Sequence, residues 1–141
     1  MDTKKPILIV TAGGRNPQIL INALADRFAD VSVLEEQPES KKLFLKRRAR
    51  KLGYLTAAGQ FATMAASKFG KRFTEKRAGE IIRQFGVSDA PNSKVPVTRI
   101  ASINSPEAIS HIARLRPAAV FLVSCRMLSA ATLAASNPTS A

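Results

Sequence analysis

Gly13-Gly14-Arg15-Asn16-Pro17 is the stretch of this sequence with the clearest chemical meaning. Two glycines lie between an apolar run and a proline, so free backbone N–H groups fall at a helix start. There the helix dipole favours anions. With no side chain at 13 and 14 a ligand can approach the backbone closely, and Arg15 or Asn16 can reach it. The same residues also read as a plain strand-to-helix turn that binds nothing. A dinucleotide fingerprint would want G-x-G-x-x-G with an acidic residue about twenty positions further on. Glu35 and Glu36 have suitable spacing, but the third glycine is missing, and a nicotinamide site is not expected.

The other reactive side chains are isolated. His111 is the sole histidine and has no Cys, Asp or Glu at ligand spacing, which reads as a structural histidine at the edge of a packed face. Metal chemistry has no support in the sequence. Cys125 follows an apolar run and can line a pocket, but no base for a nucleophile is recognisable. A lone cysteine excludes an internal disulfide and fits a reducing compartment.

Charge is concentrated rather than spread. The net charge is +12, and residues 41–83 hold thirteen Lys or Arg against only Glu75 and Glu80. That stretch can track phosphates as nucleic-acid binders do, or be a solvated helical face. Phe44, Tyr54, Phe61, Phe69 and Phe73 fall mostly at helix-core spacing, so stacking on bases is thinly supported. No apolar run approaches the ~20 residues of a membrane span. The start, Lys4-Lys5-Pro6 and an apolar run into Thr11-Ala12-Gly13, reads as strand and turn rather than a targeting signal. The cytoplasm is therefore the expected location.

These residues need elements to position them. With 141 residues, 45 % of them hydrophobic, the chain has the material for one core. Ile7–Ala12 is a β-branched run without alternation, as in a strand buried in a parallel sheet. Leu20, Leu24 and Phe28 mark one face of a following helix, and Val31–Leu34 reads as a second strand. Strand, glycine turn, helix and strand make a βαβ unit over 6–36.

The middle, 39–86, reads as a basic helical insert that breaks at Gly53 and Gly70. Its inward faces are Leu45, Ala49 and Leu52, then Ala58, Phe61, Ala62, Ala65 and Phe69, then Ala78, Ile81, Ile82 and Phe85. Residues 95–135 return to α/β. Val95-Pro96-Val97 is extended, with a proline that suits a strand start or an edge. Asn104 reads as the cap of a helix with Pro106 in its first turn, Glu107 close behind and Ala108, Ile112 and Leu115 facing inward. Arg116-Pro117 stops it, Ala118–Val123 reads as a buried strand, and Met127–Ala135 as a short helix.

Two of these stretches together resemble the folate-dependent formyltransferases, which include the glycinamide ribonucleotide and methionyl-tRNA enzymes. Ile7–Gln18 is similar to the family's first strand and loop, where Gly-Ser-Asn-Leu holds substrate phosphate; Gly14-Arg15-Asn16-Pro17 matches its glycine and asparagine. Ile103–Glu107 through Leu115-Arg116-Pro117 to Ser124–Leu128 is the better match. In the family a helix, an Arg-Pro turn and a buried strand lead to a loop against the folate pterin. The resemblance covers about residues 6–36 and 98–138; the basic middle matches nothing in it.

The resemblance implies a Rossmann-like α/β domain with a mostly parallel sheet. It implies Gly13, Gly14, Arg15 and Asn16 at an amine-bearing substrate, and Cys125, Arg126, Met127 and Leu128 at formyltetrahydrofolate. The family's catalytic Asn-x-His strand and later Asp have no counterpart in this sequence, and Asn137 precedes a proline and so does not match the Asn. The expectation is a formyltransferase-like part, cut short before its catalytic residues and inactive alone. The alternative is a small basic protein that binds nucleic acid or another polyanion weakly through 41–83.

Overall fold

The computed structural model describes residues 5–38, 40, 42, 46, 50 and 53–137. The chain divides into two compact units, one made of 1–37 with 87–141 and the other of 38–86.

Among the described residues the first unit is built on a four-stranded, all-parallel sheet. Its strands are β1 (Ile7–Thr11), β2 (Val31–Glu36), β3 (Val97–Ile100) and β4 (Ala119–Val123), in the order β3-β2-β1-β4. β1 is central because all five of its residues are apolar or small enough to bury, and each of them is buried. The helices of this unit are α1 (Arg15–Ala25), α3 (Pro106–Leu115) and α4 (Ala130–Ser136). Alternate residues of the strands feed two cores. Leu8, Val10 and Leu34 pack with Ile100, Ile103, Ala108 and Ile112 on the α3 side. Ile7, Ile9, Val31 and Val33 pack with Ile21 and Val95 on the α1 side. Each such side chain removed from water contributes ~1.5–3 kcal/mol, so the two cores hold the layers together.

Several expectations are corrected here. The packed face of α1 is Pro17, Ile21, Leu24 and Ala25, and Phe28 is exposed beyond the helix end. Leu24 alone survives from the expected stripe, because the helix begins at Arg15 and its inward face is set from Pro17. Asn104 is not the cap of α3: Ser105 is, with its hydroxyl accepting from the Ala108 N–H at 3.2 Å and Pro106 as the first helical residue. Both residue types cap well, and the proline's position selects the one immediately before it. The helix does end at Arg116, in the left-handed region at φ 47°, just before Pro117. Pro96 leads into β3, which is an edge strand, as its missing N–H requires.

The expected burial of Ala118–Val123 does not hold. β4 is the outermost strand among the described residues, and Phe121 and Leu122 are 37 % and 48 % exposed. An apolar run records a preference for burial; its place in the sheet is decided by distant pairings.

In the second unit α2 (Tyr54–Gln84) is one helix of 31 residues. It begins after Gly53, whose φ of 82° suits only glycine comfortably. It then passes through Gly59, Gly70 and Gly79, so the expected break at Gly70 is absent. A helical glycine costs only ~1 kcal/mol relative to alanine, which a long helix absorbs. Ala58, Ala62, Ala65, Ile81 and Phe85 are exposed, whereas Ala78 and Ile82 are half-buried. Leu45, Ala49 and Leu52 lie outside the described residues, as do the side chains of Phe61 and Phe69.

Candidate functional site

The carboxyl ends of β1 and β4 bring two distant segments side by side. Thr11 is in register with Val123, and the Ala12 N–H donates to the Ser124 carbonyl at 3.1 Å, carrying the pairing into the loops beyond. The sheet order changes direction here: β2 lies to one side of β1 and β4 to the other. In open α/β sheets ligands bind in the crevice at such a point.

The first loop turns on Gly13 and Gly14, at φ 80° and 117°. The Gly13 N–H is held by the Thr11 hydroxyl at 3.0 Å, with Thr11 buried. No described side chain caps α1; Pro17 in its first turn has no N–H, and the Gln18 N–H donates to the Gly14 carbonyl at 3.2 Å. Arg15 does not project freely: its Nε pairs with Asp89 Oδ2 at 3.0 Å. Asn16 is exposed. Glu35 closes the other side of the turn, its Oε1 lying 3.6 Å from where a Cβ on Gly13 would be. Its other oxygen is 3.9 Å from Arg99 Nε.

The second loop, Ser124 to Ser129, is held on two pins. The first is Glu36, whose side chain is 2 % exposed. One carboxylate oxygen accepts from the Arg126 backbone N–H at 2.8 Å. The other accepts from Arg126 Nε at 2.7 Å and from the Ile103 N–H at 3.2 Å. Arg126 also donates from Nη2 to the Gln37 carbonyl at 3.3 Å. Asn104 is the second pin, donating from Nδ2 to the Met127 carbonyl at 2.9 Å. Its Oδ1 accepts from the Ser129 N–H at 2.7 Å and from the Thr132 hydroxyl at 3.0 Å. Ser124 takes a positive φ of 55° to enter this loop.

Of the residues expected at the cofactor, Leu128 and Cys125 are half-buried and pack against the α3-side core. Met127 points out, 91 % exposed. Burial pushes the Cys125 thiol up from its ordinary range, and the nearby Glu36 carboxylate pushes it further. That keeps it a thiol near neutrality and a poor nucleophile. His111 is half-buried on α3. Among the described residues no group of His, Cys, Asp and Glu is arranged to hold a metal ion, and no helix is long and apolar enough to cross a membrane.

Sequence reasoning missed both pins. Glu36 was visible only as an acidic residue at dinucleotide spacing, one of two adjacent carboxylates that end β2. Asn104 was visible as a cap, and the structure uses its amide for a loop instead. A cleft of about 350 Å³ lies away from both loops, lined by residues such as Asp26, Phe28, Val31 and Lys94. No protein-family model, curated protein or solved structure matches this chain.

Proposed function

We propose that this chain supplies the ligand-binding part of a formyltransferase-like site, acting in the cytoplasm. Formyltetrahydrofolate would lie against Cys125, Arg126, Met127 and Leu128, and an amine-bearing substrate would be anchored at Gly13, Gly14, Arg15 and Asn16. One observation supports this reading above the others. The two loops singled out by the resemblance are neighbours at the carboxyl end of one parallel sheet, joined by the Ala12–Ser124 hydrogen bond.

The second loop fits a flat heteroaromatic ring as one wall of its site. Met127 offers an exposed thioether and Leu128 an apolar floor, and sulfur against an aromatic ring is favourable. The Arg126 N–H and the Met127 carbonyl are already bonded within the chain. When bound, the folate would supply the formyl group. This chain's residues would hold and orient the two ligands, a contribution worth several kcal/mol of a reaction barrier. In the family an Asn-x-His pair handles the amine proton, a role that neither of these two loops supplies.

Titration with 5-formyltetrahydrofolate (folinic acid) tests the reading. Binding that weakens in Met127→Ala is the expected result. A wild-type chain that fails to bind folinic acid ends this reading.

The second reading, weak polyanion binding through 41–83, draws on α2. Its described cations Lys68, Lys76, Arg77 and Arg83 are all exposed. Affinity for several unrelated nucleic acids should then be similar and fall steeply with salt. Tight binding that survives high salt, or preference for one sequence, would refute it.

A further inference from the structure

We infer that Glu36 is the positioning residue for the Ser124–Leu128 loop, and that Arg126, although part of the loop that faces the folate, serves the site by clasping Glu36 rather than by contacting a ligand with its guanidinium. This rests on the reading of that loop given above. Three segments that are far apart in sequence meet on this one carboxylate: the end of β2, the residues after β3 and the loop after β4. Glu36 ends β2 and Arg126 lies in the loop after β4, the two strands that flank β1 on opposite sides, so the pair spans the end of the central strand. The carboxylate is buried and each of its oxygens is engaged, one by a backbone N–H and the other by a backbone N–H and a guanidinium. Charge-assisted bonds of this kind are short and strong in a poorly solvated place.

Two of the guanidinium's five N–H donors are committed within the chain. Its Nε is on Glu36 and its Nη2 is on the Gln37 carbonyl. Both contacts direct it back toward β2. The neighbouring residue is the one that points out, since Met127 is 91 % exposed while its carbonyl is pinned by Asn104. The loop thus presents Met127 because Arg126 is tied down beside it. Removing the carboxylate should release the loop, whereas shortening Arg126 leaves the backbone bond to Glu36 in place.

The test compares Glu36→Gln, Arg126→Ala and a mildly destabilising control, Ile21→Val, which lies in the other core. Gln replaces Glu with nearly the same shape but turns one acceptor into a donor facing Arg126. Folinic acid affinity should fall about tenfold or more in Glu36→Gln. It should fall only about threefold or less in Arg126→Ala and stay unchanged in the control. In ¹⁵N spectra the wild type should show a slowly exchanging Arg126 Nε–H. In Glu36→Gln, amide exchange should rise about tenfold at Cys125–Leu128 and not at Gly13–Asn16. If Arg126→Ala loses affinity as much as Glu36→Gln, Arg126 is a ligand contact and the inference is overturned. Unchanged exchange at Cys125–Leu128 in Glu36→Gln also overturns it. Should Glu36→Gln not fold, the wild-type Nε–H and the Arg126→Ala affinity decide. A wild type that binds no folinic acid removes the function proposed above, while the exchange arm still judges the positioning role.

Discussion

Arg15 and Asp89 form an ion pair at 3.0 Å that ties the glycine turn after β1 to the loop before β3. Both side chains are about two-fifths exposed, so the pair adds little to stability, ~0–1 kcal/mol. Its effect is on charge: the turn's one cationic side chain is neutralised, and Glu35 sits on the other side.

Asp89→Asn should therefore raise the affinity of this turn for inorganic phosphate by about two- to fivefold at low salt, through the freed Arg15. The unfolding midpoint should barely move. Phosphate titration followed at the Gly14 and Arg15 amides reads this directly. No gain in affinity would mean that Glu35 governs the turn.

Asn104→Ala should destabilise the chain by ~1–3 kcal/mol, because the Met127 carbonyl, the Ser129 N–H and the buried Thr132 hydroxyl all lose a partner. Urea unfolding measures it. A change within ~0.5 kcal/mol, as at an ordinary surface position, would show that Asn104 is not a pin.

The raised Cys125 thiol gives a pH dependence of defined sign. Its folded state disfavours the thiolate, so its contribution to stability is present below the ordinary thiol range and is lost as pH rises through the raised one. At pH 8 its alkylation by iodoacetamide should be slower than that of a free thiol such as glutathione. Equal rates at pH 8 would contradict the burial and the Glu36 field as its causes.

β4 leaves an apolar, uncharged flank with Phe121 and Leu122 partly exposed. Such an edge is a template for pairing with other chains. Leu122→Lys should reduce concentration-dependent association in sedimentation experiments, at little cost in stability because the position is already half in water. Undiminished association in that variant would locate the sticky surface elsewhere.

Much of the scaffold was legible because its signals are local. The runs at 7, 31 and 119, the Gly13-Gly14 turn and the Arg116-Pro117 stop each announce themselves within a few residues. What escaped was decided by partners far away. The exposure of β4 depends on its rank in the sheet, and the roles of Glu36 and Asn104 depend on backbone groups of other loops. Asp89 sits in an unpatterned loop, and nothing near it in sequence points to Arg15. The continuity of α2 through Gly70 is a matter of small costs summed over many residues, which a break rule applied to one residue misjudges.

The central strand also has a history in time. β1 and β2 are made early and close together, but β1 gains its other neighbour only when β4 arrives from late in the chain. Pairings of such long sequence separation are slow to form, since closing the intervening loop costs entropy before any contact rewards it. The crevice between the Gly13 and Arg126 loops therefore exists only once that distant pairing has formed. A chain emerging from the ribosome exposes one flank of its most buried strand until then, and that interval is when a chaperone has most to cover.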